Sequence, residues 1–241
     1  MDKYNIIKIP DVNSTNSYAL SLRPTKLFKE GLVIVSDFQT KGRGQRENTW
    51  ESEKGKNLII SVVIEPNISI EQQFDISIIA SLSLVNCLLA LGIESKIKWP
   101  NDILVNRQKI AGILIQNLIS KNIITHSVIG IGLNVNQLIF DDYTPKATSL
   151  KLEINNNFNL EKIQNKLLSS LQNTIETYHS EKNLEVEYLN LLFQKDKVAV
   201  FESRFRRFNG LIKGIGDRGL LIIETENIVK EFDVKEIKML F

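Results

Sequence analysis

Lys98-Trp99-Pro100-Asn101-Asp102, followed closely by Lys109-Ile110-Ala111-Gly112, is the stretch on which the interpretation of this sequence turns. Residues 95–99 are predicted as a short strand, which Pro100 ends, and residues 103–105 as the next strand. The residues between them are also compatible with a simple turn held by Asx hydrogen bonds, and that alternative stays open. Lys109 opens an otherwise apolar run, which is not typical of a core strand. The stretch therefore favours a polar site at strand ends.

A second polar segment, residues 39–46, lies between two predicted strands, 31–37 and 57–65, and contains almost no apolar side chains. Long loops inside a compact domain are uncommon unless they carry function or are disordered. Glycines on both sides of Arg43 allow backbone N–H groups to approach a phosphate while the guanidinium makes paired bonds to it. The loop therefore indicates an anion site, although a solvated basic loop has the same composition.

The apolar patterning predicts an α+β fold, a mixed or antiparallel sheet with helices packed on one face, because consecutive strands form hairpins. Helices are expected at 15–22, with Ser14 as N-cap, and at 70–91, 160–178 and 184–192. Strands are expected at 31–37, 58–65, 95–99, 103–105, 109–119 and 123–135. We predict a catalytic domain over residues 1–194 and a small SH3-like β-barrel over 195–241. The asparagine-rich run 155–157 is expected to be a mobile connection.

Composition excludes several classes of protein. A formal net charge of +2 over 241 residues argues against a protein built to coat nucleic acid or an anionic membrane. The apolar segment 76–91 contains three serines and an asparagine, so we interpret it as a core helix and not a membrane span. The single cysteine, Cys87, fits a reducing cytoplasm and is expected to be buried and structural. His126 and His179 lie far apart in sequence, so no metal-ligand spacing is present.

The order and spacing of the motifs resemble the biotin protein ligases, strongly over residues 1–150 and more weakly beyond. The resemblance rests on Ser14-Thr15-Asn16, the loop 39–46, Trp50 with Ser52, Gly55-x-Asn57-Leu58, the two segments quoted first, and Ile129-Gly130-x-Gly132-x-Asn134. It implies a catalytic domain with a C-terminal barrel and a two-step reaction. Biotin and Mg-ATP would give biotinyl-5'-AMP and pyrophosphate, after which a lysine of a biotin carboxyl carrier protein would take the biotinyl group.

The same resemblance implies the residues that do this work. A carboxylate that attacks the α-phosphate must approach another anion, so the site needs cations that offset the repulsion. The expected catalytic residues are Arg43, Lys109, Asp102 and Lys98. Asp102 has two open roles, as an orienter of magnesium or an ammonium group and as a base for the incoming lysine, of which we favour the second. No protein ligand for Mg²⁺ is identified.

Two sets of binding residues are expected. Short polar groups in an apolar slot suit the ureido ring of biotin, and that set is Ser14, Thr15, Asn16, Gln39, Gly42, Arg43, Lys109, Gly112, Gly130 and Gly132. The adenylate set is Arg43, Gly44, Gln45, Arg46, Trp50, Asn101, Lys109 and Asn134. Simpler roles stay open for several members: helix capping for residues 14–16, a packing anchor for Trp50, and strand bulges for the glycines.

The sequence departs from the family pattern in the loop, where Gln45 replaces an arginine and Glu47 a glycine. We expect the first change to weaken retention of the adenylate. The segment 39–56 is expected to be mobile without ligand and to order over the adenylate, which would shield it from water. Only 13 residues precede Ser14, so a DNA-binding repressor role is not expected.

Two other functions remain open. A lipoate or octanoate ligase shares the implied fold, but no Arg-Arg-x-Ser-Gly-Gly-Gly stretch is present. A non-enzymatic RNA-binding module would use the basic loop and the cluster Arg204, Arg206 and Arg207, and the near-neutral net charge disfavours it. That arginine cluster is expected to be a solvated face, or else to contact ATP phosphates or the carrier. The oligomeric state is expected to be a monomer or a homodimer.

Overall fold

A large sheet of eight strands forms the centre of the molecule. The computed structural model describes residues 3–45, 48–180, 184–226 and 228–241. The strands of the large sheet are β1 (Asn5–Val12), β2 (Leu32–Gln39), β3 (Leu58–Ile64), β4 (Ile68–Ser69), β5 (Lys96–Lys98), β6 (Asp102–Val105), β7 (Gln108–Ser120) and β8 (Ile123–Leu133). Their order is β1-β2-β3-β8-β7-β6-β5, and β4 pairs with β8. Only the β1–β2 pair is parallel among these, so the sheet is mixed, as the sequence predicts.

The helices are α1 (Thr15–Ser21), α2 (Gln73–Leu89), α3 (Leu150–Ile154), α4 (Leu160–His179) and α5 (Leu184–Leu191). Alternate residues of a strand face opposite sides of a sheet, and both sides are used here. Leu32 and Ile34 pack with Ala19 of α1, whereas Val33 of the same strand belongs to the main core that contains α2. The expectation that the helices share one face is therefore wrong, because α1 covers the opposite face.

Helix α2 is buried on most of its circumference and packs against α4 and α5. Together with the preceding 3₁₀ turn, residues 70–89 are long and apolar enough to span a membrane by length and composition alone, but most of this segment is covered by the rest of the protein. Cys87 is fully buried within it, as expected. The helix therefore forms the core of the α+β layer.

A second sheet follows at the C-terminus. Its strands are β9 (Val198–Ser203), β10 (Arg206–Ile215), β11 (Leu221–Glu224), β12 (Val229–Phe232) and β13 (Lys238–Met239), in the antiparallel order β12-β11-β10-β9-β13. The architecture agrees with the expected small β-barrel. Buried residues of this sheet, such as Phe201 and Ile223, belong to the same hydrophobic cluster as α2, so the core continues across the boundary predicted near residue 195.

Strand β1 and helix α3, together with the two-residue strand β4, are absent from the sequence-based prediction. Strand β1 carries Pro10, which lowers the strand signal, but β1 lies at the sheet edge, where a residue without a backbone N–H is tolerated. Helix α3 is short, and Ser149 caps its N-terminus by accepting a hydrogen bond from Leu152 N. It ends at Asn155, which adopts a left-handed conformation with φ of 56°. The predicted mobility of residues 155–157 stays a prediction.

Candidate active site

A cavity of about 600 Å³ opens on the α1 side of the large sheet. Its wall is formed by the start of α1, the segment 39–51, the turn 98–102, the ends of β7 and β8, the loop 140–147, and residues of the C-terminal sheet. Sequence segments that lie far apart along the chain therefore converge on one site. Most of the residues predicted to bind or react line this cavity.

Three of the predicted catalytic residues form one charged cluster. Asp102 Oδ1 lies 2.7 Å from Lys109 Nζ, and its Oδ2 lies 3.1 Å from Lys98 Nζ. The carboxylate is almost buried, at 8% exposure. The sheet register explains the arrangement, because Asp102 pairs with Lys98 on one side and with Gly112, close to Lys109, on the other. Two ammonium groups share one carboxylate, so the cluster presents excess positive charge to the cavity.

This arrangement lowers the basicity of Asp102. Burial alone would raise its pKa, but the charges and hydrogen bonds of Lys109 and Lys98 outweigh burial and hold the pKa below its ordinary value. A carboxylate held in this way is a weak proton acceptor. Of the two roles open to Asp102, the geometry therefore favours the one in which it orients ammonium groups, and the preference for a base loses support.

The start of α1 forms a network of buried polar groups. Gln39 Oε1 accepts hydrogen bonds from Thr15 N at 2.8 Å and from Thr15 Oγ1 at 3.0 Å. The Ser61 hydroxyl lies 2.7 Å from Thr15 Oγ1 and 2.6 Å from Asn16 Oδ1. Ser14 caps the helix by accepting from Ser17 N. Capping and ligand binding are compatible here, because the network fixes these side chains at the cavity wall before any ligand arrives.

Gly130 faces this network directly. A Cβ atom at Gly130 would collide with the Asn16 carboxamide. Asn16 is 3% exposed, and its amide nitrogen donates to Leu114 O at 3.1 Å and Gln116 Oε1 at 3.0 Å. The absence of a side chain at Gly130 thus makes room for Asn16 itself. Direct contact of Gly130 with a ligand stays a prediction.

Residues 39–45 and 48–50 pair with each other as the two arms of a hairpin, called here the hairpin 39–50. Trp50 N donates to Gly42 O at 3.0 Å, and Gly44 N donates to Asn48 O at 2.7 Å. Gly42 must lack a side chain, because a Cβ atom there would collide with the Trp50 carbonyl. Arg43 is exposed, and Gln45 is partly buried in the cavity wall. Arg46, also predicted to bind the adenylate, lies outside the described residues, as does Glu47, and the predicted mobility of the loop stays a prediction.

Trp50 packs on bare strand backbone. A Cβ atom at Gly132 would collide with its indole, and one at Gly112 would lie 3.2 Å from it. Lys109 Nζ lies 5.6 Å from the centre of the ring, within the range of a cation–π contact. The indole Nε1 is buried, and none of the described residues accepts a hydrogen bond from it. Trp50 is therefore a packing anchor in this state, and its stacking on adenine stays a prediction.

Two asparagines predicted to bind the adenylate hold the backbone around the site. Asn101 Nδ2 donates to Ile113 O at 2.9 Å, and Ile113 N donates to Asn101 O at 3.0 Å. Asn134 Nδ2 donates to Thr148 O at 2.9 Å. The indole of Trp99 donates to Gly219 O at 2.9 Å, which ties the turn 98–102 to the C-terminal sheet. The turn is thus fixed by long-range bonds and not by local Asx bonds alone.

Some features of the cavity have no counterpart in the sequence-based prediction. Tyr143 donates to Glu51 Oε2 at 2.5 Å, which connects the hairpin to the loop 140–147. This bond lowers the pKa of Glu51, and burial, followed by the same bond, raises the pKa of Tyr143 to about 12. Phe201, Met239 and Phe241 form an apolar part of the wall. A hydrogen bond between residues far apart in sequence, and an apolar wall formed by strand ends, produce no periodic pattern in the sequence. The sequence alone could therefore not reveal these features.

The residues fit the charge of a nucleotide better than they fit a protein-held metal. Among the residues the structure describes, no group of three or more His, Cys, Asp or Glu side chains converges, and both oxygens of Asp102 are taken by lysines. A magnesium ion in proteins is commonly held through substrate phosphates with few protein ligands. Any magnesium here would therefore depend on phosphates for most of its coordination.

Comparison with known proteins identifies the family. Residues 9–134 match the biotin/lipoate A/B protein ligase family. The chain belongs to this family. The matched residues include most of the cavity wall, from the start of α1 to Asn134, while the C-terminal sheet lies outside the match.

Individual members of the family agree with this assignment. The bifunctional ligase/repressor BirA of Bacillus spizizenii is 29% identical over 87% of this chain and 66% of the relative. The chain therefore spans about two thirds of the length of that relative. The biotin–[acetyl-CoA-carboxylase] ligase of Paracoccus denitrificans is 36% identical over 51% of each protein. The biotin protein ligase of Aquifex aeolicus, solved with biotin and ATP, superposes with a TM-score of 0.79 at 24% identity and covers 98% of both chains.

Proposed function

We propose that this protein is a biotin protein ligase. It activates biotin with ATP to biotinyl-5'-AMP and then transfers the biotinyl group to a lysine of a carboxyl carrier protein. The observation that carries the proposal is the cavity in which the Lys98–Asp102–Lys109 cluster faces the polar network of α1. The relatives named for biotin and acetyl-CoA carboxylase support biotin over lipoate, and they support the biotin-dependent carboxylase subunit as the partner.

In the first step, the biotin carboxylate attacks the α-phosphate of ATP and pyrophosphate leaves. Lys109 and Lys98 offset the repulsion between the two anions, and Asp102 holds both ammonium groups in place. Arg43, exposed on the hairpin 39–50, is free to turn toward the phosphates. A magnesium ion bound with ATP would neutralise phosphate charge and would make pyrophosphate a better leaving group.

In the second step, the carrier lysine attacks the acyl carbon of biotinyl-AMP, and AMP leaves. The amine has a reference pKa of about 10.4 and arrives protonated, so the proton must leave before attack. The two ammonium groups beside Asp102 disfavour a third cation and thus favour the neutral amine. The amine loses one proton before attack and a second as AMP leaves, and both pass to bulk water, so the step needs no strong base at Asp102.

Biotin specificity is assigned to the rigid network of α1. Thr15, Asn16 and Gln39 form a polar wall of hydrogen-bond donors and acceptors, and the strand glycines lie opposite them. Such a slot suits the flat ureido ring of biotin, which both donates and accepts hydrogen bonds. The buried free thiol of Cys87 is compatible with a reducing cytoplasm, which is the proposed location.

The test is pyrophosphate release with Mg-ATP and biotin, run in parallel with lipoate, followed by mass analysis of an apo carrier domain. Release with biotin and a mass gain of one biotinyl group on the carrier are expected. Turnover with lipoate and none with biotin would instead identify the protein as a lipoate ligase of the same family. Lys109→Ala is expected to abolish release, whereas Lys121→Ala, a change of the same type at the distant β7–β8 turn, is expected to leave it unchanged.

A further inference from the structure

The tip of the β9–β10 hairpin combines full exposure with a concentrated positive charge. Arg204 and Phe205 connect the two strands, and Phe205 is 100% exposed. Arg204, Arg206 and Arg207 are also exposed, and Lys238 of the adjacent strand pairs in register with Glu202. Only Glu202, which lies 3.5 Å from Arg207, offsets this charge locally among the described residues of the hairpin. Aromatic residues and arginine are the residue types that protein interfaces contain more often than the rest of a protein surface.

The turn itself is made from residues that do not favour it. Arg204 and Phe205 have φ values of 48° and 65°. A two-residue turn with both φ values positive strongly prefers Asn-Gly, because other side chains are strained there. The structure therefore keeps a basic and an aromatic side chain at a position where folding alone would select neither.

The hairpin rises from the wall of the cavity. Phe201 of β9 and Met239 of β13 line the cavity, and Arg204 follows Phe201 by three residues, which is roughly 10 Å along a strand. Phe208 pairs with Phe201, and Arg206 pairs with Ser203, so Arg206 lies on the same face of the hairpin as the cavity-lining Phe201. A macromolecule that inserts a side chain into the cavity would meet this tip at the rim.

We propose that the hairpin tip, Arg204-Phe205-Arg206, is the docking element for the carrier domain. It would bind the surface of the carrier domain around the acceptor lysine. Acidic side chains on that surface would pair with the arginines, and Phe205 would pack on an apolar side chain between the acidic groups. The proposal rests on the proposed function. Continuity with the cavity favours a protein that delivers a lysine there over a nucleic acid, which would need no access to the cavity. Charge complementarity supplies recognition and steering of the partner.

The informative variant is Arg204→Asn with Phe205→Gly, because it installs the dipeptide that this turn prefers and cannot fail for lack of a turn. The matched control is Lys121→Asn with Asn122→Gly, at the β7–β8 turn, where both residues also have positive φ values of 49° and 64°. The readouts are pyrophosphate release without carrier, KM and kcat for an apo carrier domain, and direct binding of that domain by surface plasmon resonance.

We expect the tip variant to release pyrophosphate at the wild-type rate, to raise KM for the carrier about tenfold with kcat little changed, and to weaken carrier binding to the same extent. KM of the wild type should rise with salt more steeply than KM of the variant. The control should match the wild type. A variant with Arg206→Glu should lose carrier binding and regain it with a carrier whose flanking acidic residues are changed to lysine.

An unchanged KM and unchanged carrier binding in the tip variant would overturn the proposal. Loss of retention on single-stranded RNA with KM unchanged would overturn it in favour of a nucleic-acid role. No pyrophosphate release by the wild type with biotin would refute the proposed function. The binding measurement needs no turnover, so it would still decide whether the tip docks the carrier.

Discussion

Replacement of Gly130 by alanine tests whether the Asn16 network is a rigid part of the site. The new Cβ would occupy the position of the Asn16 carboxamide, which is buried and held by three hydrogen bonds at 2.6, 3.1 and 3.0 Å. Loss of three hydrogen bonds at about 1 kcal/mol each gives a destabilisation of about 3 kcal/mol. For a protein of 241 residues, a loss of this size lowers Tm by about 6–12 °C.

The matched control is Gly214→Ala in β10. Both glycines lie in strands, but among the described residues a Cβ at Gly214 would meet only Leu189 Cδ2 at 3.9 Å, an ordinary contact. This change is expected to be neutral or to stabilise by about 0.5 kcal/mol. Scanning calorimetry gives Tm, and titration calorimetry gives biotin affinity, which is expected to fall at least tenfold in Gly130→Ala only.

A double-mutant cycle isolates the cause. Asn16→Ala removes the side chain that the new Cβ would displace, so Gly130→Ala should cost under about 1 kcal/mol in that background. The reasoning is refuted if Gly130→Ala and Gly214→Ala have the same Tm, or if the cost of Gly130→Ala is the same with and without the Asn16 side chain.

Asp102→Asn leaves Lys98 and Lys109 close together without a counter-charge, so we expect a loss of about 3 kcal/mol in stability and at least 100-fold slower pyrophosphate release. An unaltered rate in a stopped-flow phosphate assay coupled to pyrophosphatase would contradict the role given to the cluster. Gln45→Arg should slow dissociation of biotinyl-AMP, because a cation then faces the phosphate, and an unchanged dissociation rate in a filter-binding chase would refute this. Tyr143→Phe should increase protease cleavage of the hairpin 39–50, measured against Tyr18→Phe as a control. The Glu51 pKa is lowered and the Tyr143 pKa is raised to about 12. The Tyr143–Glu51 hydrogen bond should therefore contribute its full stability above the unfolded pKa of Glu51 and lose it as the pH falls through the folded pKa. It should also be lost as the pH rises through about 12, where Tyr143 ionises.

The parts of the fold that carry a local signal could be predicted from the sequence. Helix α1 was predictable because Ser14 caps it, and β7 and β8 were predictable because they are long, apolar and joined by a short turn. Strand β1 was missed because Pro10 removes a donor, which matters less at an edge than inside a sheet. The position of α1 on the opposite face depends on packing between Ala19 and Ile34, and no local pattern records such a contact.

The candidate site shows the same division. The order of the motifs was enough to predict that Lys98, Asp102 and Lys109 belong to one site. In the structure, both lysines lie within salt-bridge distance of Asp102. Their electrostatic balance was not predictable, because the pKa of Asp102 depends on how deeply it is buried and on which oxygen each lysine meets. The position of the Trp50 indole over Gly132 also depends on the fold of the hairpin, since nothing in the spacing of these residues specifies their contact.

The hydrogen bond from the Trp99 indole to Gly219 O limits how the C-terminal sheet could be exchanged for another domain. It joins the turn that carries Asp102 to a 3₁₀ turn between β10 and β11, and the ring of Phe74 lies directly against Gly219 on the same seam. The C-terminal sheet is therefore not an interchangeable module. An exchanged sheet would have to place a backbone carbonyl at the same position to keep the turn that carries Asp102 fixed.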